Sequence, residues 1–343
     1  MATNLIQIKA FLGKYYPELA YSTSQEKYTR AGLNRFFEQR FVIQNNKTQM
    51  IVDPHLFGLS IVVEGNEIFV SKEMFEHEHI GITNSIENPE TNNPKSLYTS
   101  EIFSTMAYLI CQNHTMFQIT GEIEEPIYIK YKSDFETFYN SVVIVNVAEN
   151  LDVEIVEEYE SYCAINSVTN YIAQTGAKLN VSTFYQNHVS ALSFCLRNVI
   201  TQDNSTYSHM LFGKGSSCVL DETRIFANNG SNIELLGCIN PGQNEFHSIV
   251  GILPGAQDYS FLLDHRHVVH GKGRATFTPV VVGHLPNNSH TNVGSLVLDQ
   301  YAKGYWQEKT EEFLSPIVDR LTLDRTTGAA RFYNNKTKFL QFQ

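Results

Sequence analysis

Residues 264–271 read Asp-His-Arg-His-Val-Val-His-Gly, which puts three histidines within six positions of a chain that has twelve. On a β-strand, His265 and His267 would share a face, roughly 6.5–7 Å apart along the chain. Two imidazoles from one strand can converge on a transition metal, and neutral imidazole suits iron, zinc or copper. A site usually needs three or four ligands, and His270 falls on the opposite face of an uninterrupted strand. Stacked strands lie about 4.8 Å apart, so a neighbouring coil could supply the missing ligand. His247 and His290 are the candidates. The competing reading is a solvent-facing strand on which His, Asp and Arg make ordinary polar contacts.

Other chemical templates do not fit. The sequence has no GxSxG, no Walker pattern, no HExxH and no glycine-rich dinucleotide turn after a strand. Gly-Lys-Gly corners at 213–217 and 271–275 lack P-loop spacing. The five cysteines, at 111, 163, 195, 218 and 238, stand far apart with no CxxC pair. That spacing suits neither a disulfide framework nor a zinc knuckle, so each reads as a small buried hydrophobe. The acidic run Glu154-Ile-Val-Glu157-Glu158-Tyr-Glu160 reads as a solvated strand face with edge protection rather than a carboxylate pair.

The elements that would position these residues are mostly strands. The first hundred residues read as helix and loop, and residues 86–97 concentrate Asn, Pro and Glu as a surface linker would. Between 100 and 114, Ile102, Phe103, Met106, Leu109 and Ile110 fall on one helical face, with Thr99 or Ser100 as cap. After Gly121 short β-rich runs follow one another to about residue 310. Their corners share a pattern in which Gly or Asn is followed by two residues and then an alternating apolar strand. Asn150, Gly176, Gly215 and Gly230 open such corners, and both residue types tolerate the left-handed conformation of a tight turn. A solenoid that stacks short strands around one axis fits this pattern. A β-sandwich would show the same alternation.

A net charge of −11 argues against a general nucleic-acid or anionic-membrane binder, because those need clustered Lys and Arg. No run has the length of a transmembrane helix. The N-terminus has the 3.6-residue pattern of an amphipathic helix and lacks a secretory signal's charged start and apolar block. A soluble, cytoplasmic protein is expected.

Residues 140–161 (NSVVIVNVAENLDVEIVEEYES) and 168–187 (VTNYIAQTGAKLNVSTFYQN) resemble the core of the SufB/SufD proteins of iron–sulfur cluster assembly. The first stretch shows an apolar strand, a turn and a second strand with an acidic step, and the second repeats the unit of strand, Gly-Ala turn and strand. Residues 103–131 resemble the family's helix and Pro-Ile strand entry, and Glu26–Arg30 resembles an N-terminal element of the SufD branch. Residues 244–251 and 271–283 are similar to its later strands.

The resemblance implies a mainly β protein built on a right-handed parallel β-helix. It implies an N-terminal helical or mixed region over 1–120, a core over 121–315 and a short C-terminal segment over 316–343. The family's Cys-x-His-Gly-Ala motif, and the helices that dock on the SufC ATPase, have no clear counterpart in 320–343. Ser289-His290 followed by Val293-Gly294 faintly echoes that motif. Gln186-Asn187-His188 resembles a Gln-Asn-Trp step of SufB and implies that Gln186 and His188 line the solenoid interior.

The function implied is that of a non-catalytic scaffold in iron–sulfur cluster assembly, acting through protein contacts, with an iron–sulfur cluster or iron as its cargo. The expected partners are a second copy or a SufB-like chain, paired through strands near 274–309, and a SufC-like ATPase. No nucleic acid or membrane is expected. The alternatives are a β-helix enzyme or metal-binding protein using the His265/His267 cluster, and a urease-accessory-like solenoid chaperone.

Overall fold

The computed structural model describes residues 49–64, 67–85, 114–133, 138–188, 191–214, 218–228 and 230–240, together with Ala107. It also gives the strands at 2–4 and 40–42 and those between 244 and 342; side chains are described as far as residue 235. The chain winds into a parallel β-solenoid with two facing sheets, and each coil lays one strand on each sheet. The first sheet runs through Ile127–Ser133, Asp152–Ser161, Lys178–Gln186, Thr206–Lys214, Ser231–Asn240, Ser260–Val269, Ser289–Leu298 and Ile317–Arg325. The second runs through His114–Ile119, Phe138–Val147, Ala164–Ala173, Leu192–Thr201, Cys218–Ala227, Asn244–Ile252, Arg274–Gly283 and Lys303–Glu312.

Alternation explains why these segments are strands. In Asp152–Ser161, Val153, Ile155, Glu157, Tyr159 and Ser161 are buried, while the residues between them are exposed or half-exposed. Parallel in-register pairing repeats this choice from coil to coil, so inward residues form columns. One column is Ile127, Ile155 and Val181; another is Tyr131, Tyr159 and Tyr185. The Tyr131 and Tyr159 rings stack with centroids 4.6 Å apart and planes at 12°, and Tyr185 follows at 5.0 Å. Their spacing is close to the distance between neighbouring strands, so the fold itself stacks the rings.

The corners form a column too. Asn150, Gly176, Asn204 and Gly230 succeed one another in register and all have positive φ, at 61°, 70°, 57° and 72°. The corners read at Asn150, Gly176 and Gly230 are therefore left-handed turns. Gly215 lies outside the described residues. Each asparagine sits beside a glycine: a Cβ on Gly176 would collide with Oδ1 of Asn150, and one on Gly230 with Oδ1 of Asn204.

The second sheet is buried on both faces over its middle strands; nearly every residue of Ala164–Ala173 and Leu192–Thr201 is buried. Its outward asparagines satisfy one another along the stack. Asn166 Nδ2 donates to Asn140 Oδ1 at 2.9 Å, and Asn198 Nδ2 to Asn170 Oδ1 at 2.8 Å. Outward Val142, Val168 and Leu196 form an apolar cluster with Ala107. Ala107 is helical; of the helix expected over 100–114 the only other described residue is His114, which instead opens the strand His114–Ile119.

Two expectations change. The described part of the first hundred residues is mainly strand, with one four-residue helix at Lys72–Phe75. Gln49–Asp53, Ser60–Glu64 and Glu67–Ser71 extend the first sheet beyond Ile127–Ser133, and Ile80–Ser85 extends the second beyond His114–Ile119. Their alternation is short and broken by turns, which is why they resemble loop in sequence. At the other end, Arg274–Gly283 is paired on both sides, so it offers no open backbone edge. The first sheet ends instead at Ile317–Arg325.

Candidate functional site

The solenoid interior is not uniformly apolar. Glu157 is 0% exposed, Arg197 1% and Asp221 4%, and the three lie together between the sheets. Glu157 comes from the first sheet and the other two from the second. Nη1 of Arg197 donates to both carboxylate oxygens of Asp221, at 2.8 and 2.9 Å, and Nε reaches Glu157 Oε2 at 3.5 Å. Nη2 donates to the Tyr185 hydroxyl at 2.9 Å, and that hydroxyl donates in turn to Asp221 Oδ2. Tyr171 donates a short hydrogen bond to Glu157 Oε1.

Thr183 extends the network. Its hydroxyl donates to Glu157 Oε2 at 2.9 Å and also lies 2.9 Å from His209 Nε2. A hydroxyl has one proton to give, and an ionised carboxylate only accepts. With Glu157 ionised, His209 must therefore carry its proton on Nε2 and donate to Thr183. The donors run in one direction, from His209 through Thr183 to Glu157.

Enclosure shapes the acidities. Burial disfavours the charge on Arg197, but Asp221, Tyr185 and Glu157 override it and hold its pKa well above the ordinary value. Burial raises the Tyr131, Tyr159 and Tyr171 phenols well above theirs, and the Glu157 charge adds to the effect. Burial likewise raises Tyr185, with Arg197 pulling the other way. It pushes the Cys195 thiol up to about 12, opposed in part by Arg197. Cys195 is thus an inert thiol in this state. The cluster's chemistry is that of a charged brace: it ties the two sheets together through ion pairs and charge-assisted hydrogen bonds.

The acidic run divides by alternation. Glu157 faces inward, correcting its assignment to the solvated face. Glu154 is exposed, and Lys130 binds Glu158 at 2.9 Å and Glu160 at 2.7 Å on the outer face. The interior assignment of Gln186 and His188 is also corrected: both are exposed. Tyr185 and Asn187 are the inward neighbours, and Asn187 accepts from Ser161 N at 3.1 Å and donates to Ser193 at 2.9 Å. A one-residue slip in an alternating strand exchanges its faces.

The side chains of His247, His265, His267 and His290 lie outside the described residues, although the strands that carry them are given. In register, His265 pairs with Leu235 and so continues the column of His209, and His267 pairs with Gly237. His290 pairs with Phe261, four positions before His265, and His247 pairs with Asp221 on the second sheet. Among the described residues, no group of three or more His, Cys, Asp or Glu could hold a metal ion.

Sequence reading missed Arg197 and Asp221. For Arg197 the signal was a lone charge within an otherwise uncharged strand, Leu192–Thr201; Asp221 stands beside Glu222 and Arg224 in Cys218–Ala227, where only the register of the coils marks it as inward.

These features define a parallel β-solenoid with an ionic brace buried in its lumen. Residues 129–292 match the family model of the SufBD core domain of the SUF system for FeS cluster assembly. The matched stretch contains Glu157, Arg197, His209 and Asp221, as well as His265, His267 and His290. It supports the SufB/SufD family and a role in iron–sulfur cluster assembly. A search of curated proteins found no match to the chain. Among the described residues, no helix is long and apolar enough to cross a membrane.

Proposed function

We propose that this chain is a SufD-like, non-catalytic scaffold component of iron–sulfur cluster assembly that works through protein contacts. The observation that carries this reading is the SufBD core match lying on the solenoid itself. The cluster or its iron is cargo, handled jointly with partner chains. A SufB-like chain pairs at the C-terminal end of the stack, where Ile317–Arg325 ends the first sheet, and a SufC-like ATPase completes the assembly. The buried brace supports this role by holding the two sheets in fixed relation under load from a partner. Purification from the native host, with mass spectrometry of what accompanies the chain, should recover SufB-like and SufC-like proteins in defined stoichiometry. Recovery of the chain free of any Suf protein, with no binding to purified SufB-like or SufC-like protein, would remove the scaffold reading.

A further inference from the structure

The opposite end of the stack bears on a separate question, independent of that reading. Gln49–Asp53 ends the first sheet: it pairs in parallel with Glu67–Ser71 on one side, and no described strand lies on its other side. An open edge of this kind templates pairing with another strand, and proteins usually guard it with charge, proline or a cover. The strand itself, QMIVD, carries one charge, Asp53, at its end. Apolar side chains gather around it. Val52 is 41% exposed on the strand itself and Phe57 80% exposed in the turn that follows. Phe75 is 54% exposed, at the end of the helix Lys72–Phe75, which contacts the strand.

We propose that Gln49–Asp53 is a pairing edge for a second copy of this chain, joined antiparallel about Ile51. Two identical strands related by a two-fold axis must run antiparallel, with the same surface used on both sides. Centred on Ile51, the register sets Gln49 opposite Asp53, Met50 opposite Val52 and Ile51 opposite its own counterpart. The strand is complementary to itself in this arrangement. The one carboxylate meets an amide rather than a like charge, and every other pair is apolar. Val52, half in water on one protomer, comes to lie beside the partner copy's Met50. Met50 already packs against the core, so each core is extended across the axis. The two ends of the solenoid are separate, so this contact and a C-terminal partner do not compete.

Ile51→Cys tests the register directly. Opposed residues of an antiparallel pair have Cα atoms about 4.5–5.5 Å apart, which falls within the span a disulfide bridges. Mild oxidation at micromolar concentration should convert the Ile51→Cys protein to a dimer that dithiothreitol reverses. The wild-type chain and Ile51→Ser, treated alike, should stay uncrosslinked. Adding Val52→Lys, at a position 41% exposed, should abolish the crosslink and lower the dimer fraction in sedimentation while circular dichroism shows the fold retained. A folded Ile51→Cys protein, verified by circular dichroism, that crosslinks no more than wild type overturns the proposal. A C-terminal contact would not bring Ile51 to its counterpart, so failure here and failure of the scaffold reading are separate results.

Discussion

Nη1 of Arg197 lies 2.8 and 2.9 Å from the two carboxylate oxygens of Asp221, inside the solenoid and across 24 residues of chain. The pair sits in adjacent coils of the second sheet, and Glu157 approaches the same guanidinium from the first. Removing the cation while leaving both carboxylates enclosed is costly, because their desolvation is no longer offset. Arg197→Met should therefore destabilise the fold by about 3–5 kcal/mol in denaturant titration. A loss below about 1 kcal/mol would mean that the brace carries little stability.

At the corner, Gly176 faces Asn150. Gly176→Val should destabilise by roughly 1–3 kcal/mol, since a branched residue is strained at positive φ and its Cβ meets the Asn150 carboxamide. A Gly176→Ala, Asn150→Gly double variant should recover part of the Gly176→Ala loss, giving a coupling energy in a double-mutant cycle. Strict additivity would show that strain at Gly176 alone, not the asparagine beside it, sets the cost.

Alkaline pH should unfold the protein by ionising its interior phenols. Tyr131, Tyr159, Tyr171 and Tyr185 have pKa values raised by burial above those of the unfolded chain. The neutral phenol is favoured by folding, so the stability this gives is fully present below the unfolded pKa of about 10. It is lost as pH rises from there toward the folded values. Phenolate absorbance should appear in two stages, exposed tyrosines first and the buried set together with loss of the β signal. Early ionisation of the whole tyrosine complement in folded protein would contradict their enclosure.

The histidine-rich strand is tested by metal content. On the scaffold reading, protein purified aerobically carries zinc, iron or copper well below one equivalent. His265→Ala with His267→Ala should then leave partner binding unchanged. One full equivalent of metal, lost in the double variant, would instead favour the metal-site reading, because removing two ligands leaves a site short of the three or four it needs.

Much of the architecture was determined by sequence alone. Alternating apolar strands divided by Gly or Asn corners specify stacked coils, because a strand with one apolar face must bury it and a left-handed turn admits few residue types. The corners at Asn150, Gly176 and Gly230 were legible for that reason. The strands before residue 85 were not, being short and interrupted. The lumen cluster was also out of reach. Glu157, Thr183, Arg197, His209 and Asp221 meet because coils stack in register, yet the offset between partners changes from 26 residues at Asp152 and Lys178 to 28 at Lys178 and Thr206. No fixed period reveals such columns. A shift of one residue decides whether Tyr185 and Asn187 or Gln186 and His188 turn inward, and local sequence leaves both open. Only the tertiary pairing of one coil on the next chose the face, and with it which charges were enclosed together.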